Sequence, residues 1–400
     1  MCKTIAFFWE NYEFGGVTTN LASLINSKKF RKNKIIIFSN KTNKGLKKLK
    51  GLIRNGRVKI ITFNNYLDLK YKSKSFKLFL MIIRPVVFFF TLVKIFYLLK
   101  KFKIDIFISQ CGGYGDFRSD LGSILIAKFL NFPSKAIVFH HSYSKPRLWS
   151  FLSNLFNSII MNFSDKFIFV STATYKNLSK KIFFNNFKKK NFKILNNGIE
   201  LDKINSNPKI KKLINKRFLN GIVLSRISED KGHEDLIIAF SLLPGKIKKK
   251  FRIYFVGEGD NKYILYLKKL ILEKKMKNYF YFPGYIKGSS RGIINHFNFL
   301  VSPSRYFEGF GLSIAEALSV GTTVISTKVG GVTDFLNNKN SILVRPFDIK
   351  QICKALIKVS KNEKDLINKK KNGKRLIETK FTNNIMGEKY FNYLNKVFYD

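Results

Sequence analysis

Short runs of β-branched and aromatic residues, separated by longer amphipathic stretches, recur along the chain, and such alternation specifies βαβ units with parallel sheets. In the first half the runs are Thr4–Trp9, Lys34–Phe38, Val58–Phe63, Ile104–Ser109, Ala136–Phe139, Lys166–Val170 and Ile194–Asn196. A second series follows Gly221: Ile222–Leu224, Arg252–Val256, Tyr279–Phe282, Phe299–Ser302, Thr322–Ser326 and Ser341–Val344. Between the two series, residues 197–219 collect Asn, Asp, Lys and one Pro while strand periodicity lapses. The expected architecture is therefore α/β, with two successive doubly wound sheets and a boundary in that stretch. At 400 residues the chain is long enough to bury two cores. Its final segment, 383–398, reads as an amphipathic helix through Ile385, Tyr390, Tyr393, Leu394 and Val397.

Composition narrows the partners. With 45% hydrophobic and 15% aromatic residues the chain is too apolar for disorder. A net charge of +49 excludes an acidic solvating protein and favours an anionic partner. Lysine predominates together with Ile, Asn and Phe, the pattern of an AT-rich coding bias, so the charge alone names no partner. The clusters Lys188–Lys190, Lys248–Lys250 and Lys369–Lys371 read as solvated surface. Cys2, Cys111 and Cys353 match neither a metal-ligand spacing nor a disulfide framework, and suit a reducing cytoplasm. Met1 leads directly into a strand without a secretory pattern, so no export is expected. The most apolar stretch, Leu78–Leu99, is cut by Arg84 and Lys94 and contains Pro85. It falls short of the roughly 18 uninterrupted apolar residues of a membrane span. It reads either as a helix docked on the core or as one lying in a membrane interface. Lys70, Lys72, Lys74, Lys77, Lys100, Lys101 and Lys103 on its flanks suit the second reading.

The densest chemistry lies in residues 302–318, Ser-Pro-Ser-Arg-Tyr-Phe-Glu-Gly-Phe-Gly-Leu-Ser-Ile-Ala-Glu-Ala-Leu. A strand ends at Ser302, a loop carries Glu308, and a helix begins near Gly311 with Ala315 and Leu318 on its buried face. A Gly-Phe-Gly turn feeding a helix N-terminus presents several backbone N–H groups, and with the helix dipole these favour a phosphate. Glu316 stands about one and a half turns inside the helix, so it and Glu308 span roughly 10 Å, the length of a nucleotide sugar. Taken singly, Glu308 reads as a loop charge and Glu316 as a solvent-facing helix residue.

This pattern resembles the signature of the retaining glycosyltransferases of family 4, Pro-Ser-x-x-Glu-Gly-Phe-Gly running into a helix with two glutamates separated by seven residues. One extra residue stands here between Arg305 and Glu308. The similarity continues through Ala317, Gly321, Thr322 and Val324 to Gly330-Gly331. Ser225-Arg-Ile-Ser-Glu-Asp-Lys-Gly-His resembles the family's strand-end Arg followed by Lys-Gly, and Val256-Gly-Glu-Gly-Asp its Val-Gly-x-Gly turn. Phe282-Pro-Gly-Tyr is similar to the loop that meets the nucleotide base, and Asn197-Gly-Ile-Glu to the start of the interdomain linker. Phe14-Gly-Gly-Val-Thr matches the family's glycine loop, and Phe139-His-His-Ser ends a strand where relatives place a His that contacts the donor sugar. Ser225, Thr323 and Asn340-Ser341 depart from the usual Gly, Pro and Asn-Gly, and none of these changes removes a charge.

The resemblance implies a GT-B fold, two Rossmann-like doubly wound domains facing a central cleft. Residues 1–198 would hold the acceptor, residues 199–382 the nucleotide-sugar donor, and the helix in 383–400 would pack back on the N-terminal domain. It implies a hexosyltransferase acting with retention of anomeric configuration. The catalytic set would be Glu308, Arg226, Lys231 and one of His140 and His141, with Gly15, Gly16, Gly257, Tyr285, Gly309, Phe310, Gly311, Leu312 and Glu316 binding the donor. Arg226 and Lys231 would neutralise the departing diphosphate, Glu308 would orient sugar hydroxyls, and Glu316 the ribose. No cofactor and no metal is expected, in keeping with the lack of an Asp-x-Asp triplet. The expected partners are a nucleotide-diphosphate sugar, a saccharide or lipid-linked acceptor, and an anionic membrane at its cytoplasmic face, with no nucleic acid. The expected setting is cell-surface polysaccharide or lipopolysaccharide synthesis. Two other readings compete: a nucleotide-sugar epimerase of the same fold, which needs no acceptor, and a basic scaffold for membrane or nucleic acid. The scaffold explains the charge but not the ordered Glu, Gly, Arg and Lys positions.

Overall fold

Each of the thirteen β-branched or aromatic runs overlaps a strand, the run Ile194–Asn196 at Ile194 only. The computed structural model describes residues 2–10, 15–65, 79, 82–112, 117–141, 150–180, 191–202, 204, 208–361 and 364–396. Phe14, Lys70, Lys72, Lys74, Lys77, the Lys188–Lys190 cluster and Val397 lie outside these. The chain divides into two units, Met1–Glu200 with Asn383–Asp400, and Leu201–Thr382.

In the first unit β1 (Thr4–Trp9), β2 (Lys34–Asn40), β3 (Val58–Phe63), β4 (Ile106–Cys111), β5 (Ser134–Phe139), β6 (Lys166–Phe169) and β7 (Phe192–Ile194) form one sheet. Its order is β3-β2-β1-β4-β5-β6-β7, and every pairing is parallel. The central strands are apolar on both faces because helices cover both, as parallel sheets require; Ile5 to Trp9 are all fully buried. Strand β4 starts two residues later than periodicity suggests. The Asp105 carboxylate accepts the Thr4 N–H at 2.7 Å, and Ile104 packs in the core ahead of the strand.

The second unit repeats the plan with β8 (Leu219–Leu224), β9 (Phe251–Val256), β10 (Phe280–Gly284), β11 (Phe299–Ser302), β12 (Thr323–Thr327) and β13 (Ile342–Val344). These pair in parallel in the order β10-β9-β8-β11-β12-β13. In each sheet the direction of chain progression reverses once, between β1 and β4 and between β8 and β11. Loops leaving the carboxyl ends of such strands diverge and leave a crevice, the usual place for a ligand in an open α/β sheet.

The Asn383–Asn395 helix belongs to the first unit. Met386, Tyr390, Tyr393 and Leu394 join the core cluster of Ile5, Phe7 and Ile37. A Cβ on Gly387 would stand 2.0 Å from Ser27 Oγ, so only glycine permits that approach. The Leu394 carbonyl, left without an intrahelical partner at the helix end, accepts from Lys166 Nζ at 2.6 Å. The Arg84–Leu99 helix answers the question left by the Leu78–Leu99 stretch on one side only: Phe88, Leu92, Ile95 and Leu99 enter the core, and the other side stays exposed. Among the described residues no helix is long and apolar enough to cross a membrane.

Candidate functional site

The site in the second unit is built where loops from β8, β9, β10 and β11 are pressed together by glycines. Gly257, after β9, has φ +155°, and a Cβ there would stand 1.9 Å from the Ser225 carbonyl oxygen. The turn therefore lies flush against the strand end that carries Arg226. The Gly257 N–H also donates to the Gly284 carbonyl at 3.1 Å, drawing the Pro283-Gly284-Tyr285 loop alongside. Tyr285 is partly exposed, and burial together with the charge of Glu258 raises its phenol pKa.

Beyond Arg226 the chain makes a one-turn 3-10 helix, Glu229–Lys231, and closes it with Gly232 at φ +68°. A Cβ on Gly232 would stand 2.0 Å from the Pro303 carbonyl oxygen, so this turn abuts the loop after β11. Lys231 is thereby presented to Glu308. Its Nζ donates to Glu308 Oε1 at 2.6 Å, and the same oxygen accepts from Ser304 Oγ at 2.6 Å. Both bonds fall on Oε1, which leaves Oε2 without a partner among the described residues. The Glu308 backbone is gripped from behind: the Gly331 N–H donates to its carbonyl at 2.7 Å, and Gly330, at φ +61°, lies so close that a Cβ would stand 2.1 Å from that oxygen. Arg226 is exposed, and its charge converges with that of Lys231 on Asp230. Burial opposes ionisation of Asp230, but the Ser228 hydrogen bond and these two cations hold its pKa below the ordinary carboxylate range.

Arg305, which has no assigned role in the sequence pattern, ties the two loops together. Its guanidinium grips Asp235 with bonds of 3.0 and 2.6 Å and reaches Glu234 Oε2 at 2.8 Å, while its N–H donates to the Asp230 carbonyl at 2.8 Å. Hydrogen bonds to Asp235 and Glu234 raise its already high pKa against the cost of burial. The signal for it was compositional: four of the seven residues 229–235 are acidic in a chain with few acids.

From Glu308 the chain passes through Gly309 and Phe310 to Gly311, which caps the Leu312–Ser319 helix at φ +89° with no side-chain cap. The Ile314 and Ala315 N–H groups return to the Gly311 carbonyl at 3.1 Å, and the N–H groups of the turn before them make no backbone bond among the described residues. The Phe310 side chain is 2% exposed and packs on Phe335 at 4.8 Å, so only its backbone can meet a ligand. Glu316 does not face solvent. It is buried, and desolvation pushes its pKa up to about 7 despite the Ser290 hydrogen bond and nearby Arg291.

The candidates of the first unit gather at the carboxyl edge of its sheet. His140 follows β5 and is buried, its pKa lowered to about 3 by desolvation and by His141. The neutral ring is held by Gln110, whose Oε1 lies 2.5 Å from Nε2 and accepts that N–H. His141 is exposed. Gly15 caps the Gly16–Ile25 helix in an extended conformation that any residue can adopt, and a Cβ there would meet nothing within 4 Å. The fold itself therefore gives no internal reason for Gly15. The structure adds Glu10, one residue beyond β1, to this edge. Asn65 Nδ2 donates to its Oε1 at 2.6 Å, Ser119 bonds Oε2, and burial pushes its pKa up to about 7. A lone acid directly after five consecutive apolar residues was the available signal. His233 packs edge-on against Phe255 at 4.9 Å, and desolvation lowers its pKa to about 4.

Residues 206–376 match the family model of glycosyl transferases group 1. Among curated proteins, an uncharacterized glycosyltransferase of Methanocaldococcus jannaschii is 27% identical over 232 residues, 57% of each chain. The capsular polysaccharide biosynthesis glycosyltransferase CapM of Staphylococcus aureus is 28% identical over 236 residues, 54% of this chain and 58% of CapM. The chain thus spans less than two thirds of the length of these relatives. Among solved structures, HepE of Anabaena in complex with UDP and glucose is similar with a TM-score of 0.74 at 16% identity, covering 99% of this chain and 100% of HepE. The fold is accordingly GT-B, and residues 206–376 form a glycosyl transferases group 1 domain.

Proposed function

We propose that the protein is a family 4 glycosyltransferase that moves a hexosyl group from a nucleotide-diphosphate sugar to a saccharide or lipid-linked acceptor with retention of configuration. The observation that carries the reading is the Lys231 Nζ to Glu308 Oε1 contact of 2.6 Å, set beside the uncapped N-terminus of the Leu312–Ser319 helix. One cation, one oriented carboxylate and a row of N–H donors within a single loop cluster suit a sugar linked to a diphosphate. The CapM and HepE likenesses support a capsular or related surface polysaccharide as the product and a uridine nucleotide as the donor's carrier.

In this reading the C–O bond between the anomeric carbon and the diphosphate breaks while the acceptor oxygen attacks from the same face. The acceptor proton passes to the leaving phosphate oxygen. Arg226 and Lys231 compensate the charge that grows on the diphosphate, a contribution realised mostly in the transition state. Glu308 Oε2 accepts from a donor-sugar hydroxyl, Glu316 meets the ribose, and Tyr285 lies by the base. The two cations take the place of a divalent ion, so EDTA leaves the rate unchanged.

A panel of UDP-, GDP- and ADP-sugars tests the reading, because a ligand bound only by the folded state raises its melting temperature. The expected result is stabilisation by one nucleotide class and, with acceptor present, sugar transfer. Arg226→Ala lowers kcat at least tenfold with little change in KM for the donor, as loss of transition-state charge compensation requires. No stabilisation by any nucleotide sugar, or donor conversion without an acceptor, overturns the assignment.

A further inference from the structure

The Arg84–Leu99 helix is apolar on two opposite sides. Phe88, Leu92, Ile95 and Leu99 are buried, whereas Ile82, Val86, Phe89, Phe90, Val93 and Tyr97, at spacings of three and four along one face, are each more than half exposed. A helix apolar all round is normally enclosed. The patch also extends beyond this helix. Phe156 of the Ser150–Asn162 helix lies 5.6 Å from Phe89 and 5.3 Å from Phe88, ring centre to ring centre. On the same helix Leu152, Leu155 and Ile159 are exposed at helical spacing. Two adjoining helices thus present one continuous apolar face, far more than scattered surface residues explain.

We propose that this face is a docking surface for an anionic lipid bilayer. The charge around it selects that occupant. From Phe79 to Ile104 the chain carries Arg84, Lys94, Lys100, Lys101 and Lys103 and no acidic residue, and Ser150–Phe163 carries no charge at all. Lys100, at the C-terminal end of the face, holds its Nζ over the Tyr97 ring, 4.3 Å from the ring centre. Apolar side chains flanked by cations fit acyl chains beneath anionic headgroups. A second copy docked through the same patch would bring the two lysine rims together, which like-charge repulsion disfavours. The helix lies in the interface rather than across it, in keeping with its length and composition.

Co-sedimentation with vesicles tests the surface. The probes are pure phosphatidylcholine vesicles and vesicles in which about a quarter of the lipid is phosphatidylglycerol, both at low salt. The expected result is pelleting with the anionic vesicles only. The double variant Phe90→Glu with Val93→Glu, both at exposed positions, loses at least tenfold in affinity, and Leu155→Glu reproduces the loss from the other helix. Because the patch lies outside residues 206–376, nucleotide-sugar stabilisation persists in both variants and reports separately on the donor reading. Unchanged circular dichroism and melting temperature exclude misfolding. Equal pelleting of wild type and variants overturns the proposal. So does a wild-type protein that stays in the supernatant, or a dimer in sedimentation velocity that the variants dissociate.

Discussion

Burial keeps Glu316 partly protonated near neutral pH, and this has a calculable consequence for stability. Its folded pKa of about 7 lies above the ordinary carboxylate value, so the folded protein holds more protons than the unfolded chain between those two values. That contribution is fully present below about pH 4.5 and is lost as pH rises through about 7, at up to about 1.4 kcal/mol per pH unit. Glu316→Gln, neutral at every pH, therefore gains on the wild type between about pH 5 and pH 8, as urea unfolding at the two values would record. The same variant weakens nucleotide-sugar binding and flattens its pH dependence, readable by calorimetry. For Arg305, removal leaves Asp235 and Glu234 without their buried cation. Arg305→Ala costs on the order of 3 kcal/mol by denaturant unfolding, and Arg305→Lys recovers less than half because an ammonium cannot match the two-pronged contact with Asp235. Glu308, Lys231 and Arg226 were legible as residue types in an ordered series. Which atoms they meet was not, because the Lys231 to Glu308 bond joins positions 77 residues apart.

At the scale of elements, apolar runs marked the central strands most sharply, since strands buried on both faces leave an unbroken apolar signature, whereas the exposed edge strand β7 meets its expected run only at Ile194. Strand ends were less legible. Side chains set them locally, as Asp105 does ahead of β4. The glycine turns were legible as turns, but not as the close backbone contacts they are. Gly330 shows the difference: its positive φ and its approach to Glu308 both exclude a side chain. Gly330→Ala is expected to cost roughly 2–3 kcal/mol and to lower kcat/KM well beyond what lost stability explains, because the Glu308 carboxylate moves with its backbone. Activity at a temperature where both proteins are fully folded separates the two effects, and wild-type kinetics in the variant would contradict a positioning role. The Leu78–Leu99 stretch illustrates a limit of periodicity. A helix with two apolar sides shows no polar stripe from which to tell inside from outside.

For the whole molecule, two units of similar plan share one chain, yet the first unit draws on both of its ends. Ending the chain at Thr382 removes Met386, Tyr390, Tyr393 and Leu394 from a core they share with β1 and β2. Fully burying each such side chain contributes about 1.5–3 kcal/mol, which together rivals the stability of a typical domain. The shortened protein is expected to lose its near-ultraviolet circular dichroism and to bind a hydrophobic dye. A sharp melting transition at the wild-type temperature would refute this.

That arrangement also orders events on the ribosome. The seven strands of the first sheet have been translated by Ile194, whereas the helix that seals one side of them begins at Asn383. At about 5–20 residues per second, synthesis of the stretch between them occupies on the order of 10–40 s. Throughout that interval the nascent sheet has a bare oily groove, a natural hold for a chaperone and an opening for misassembly with a neighbouring polysome product.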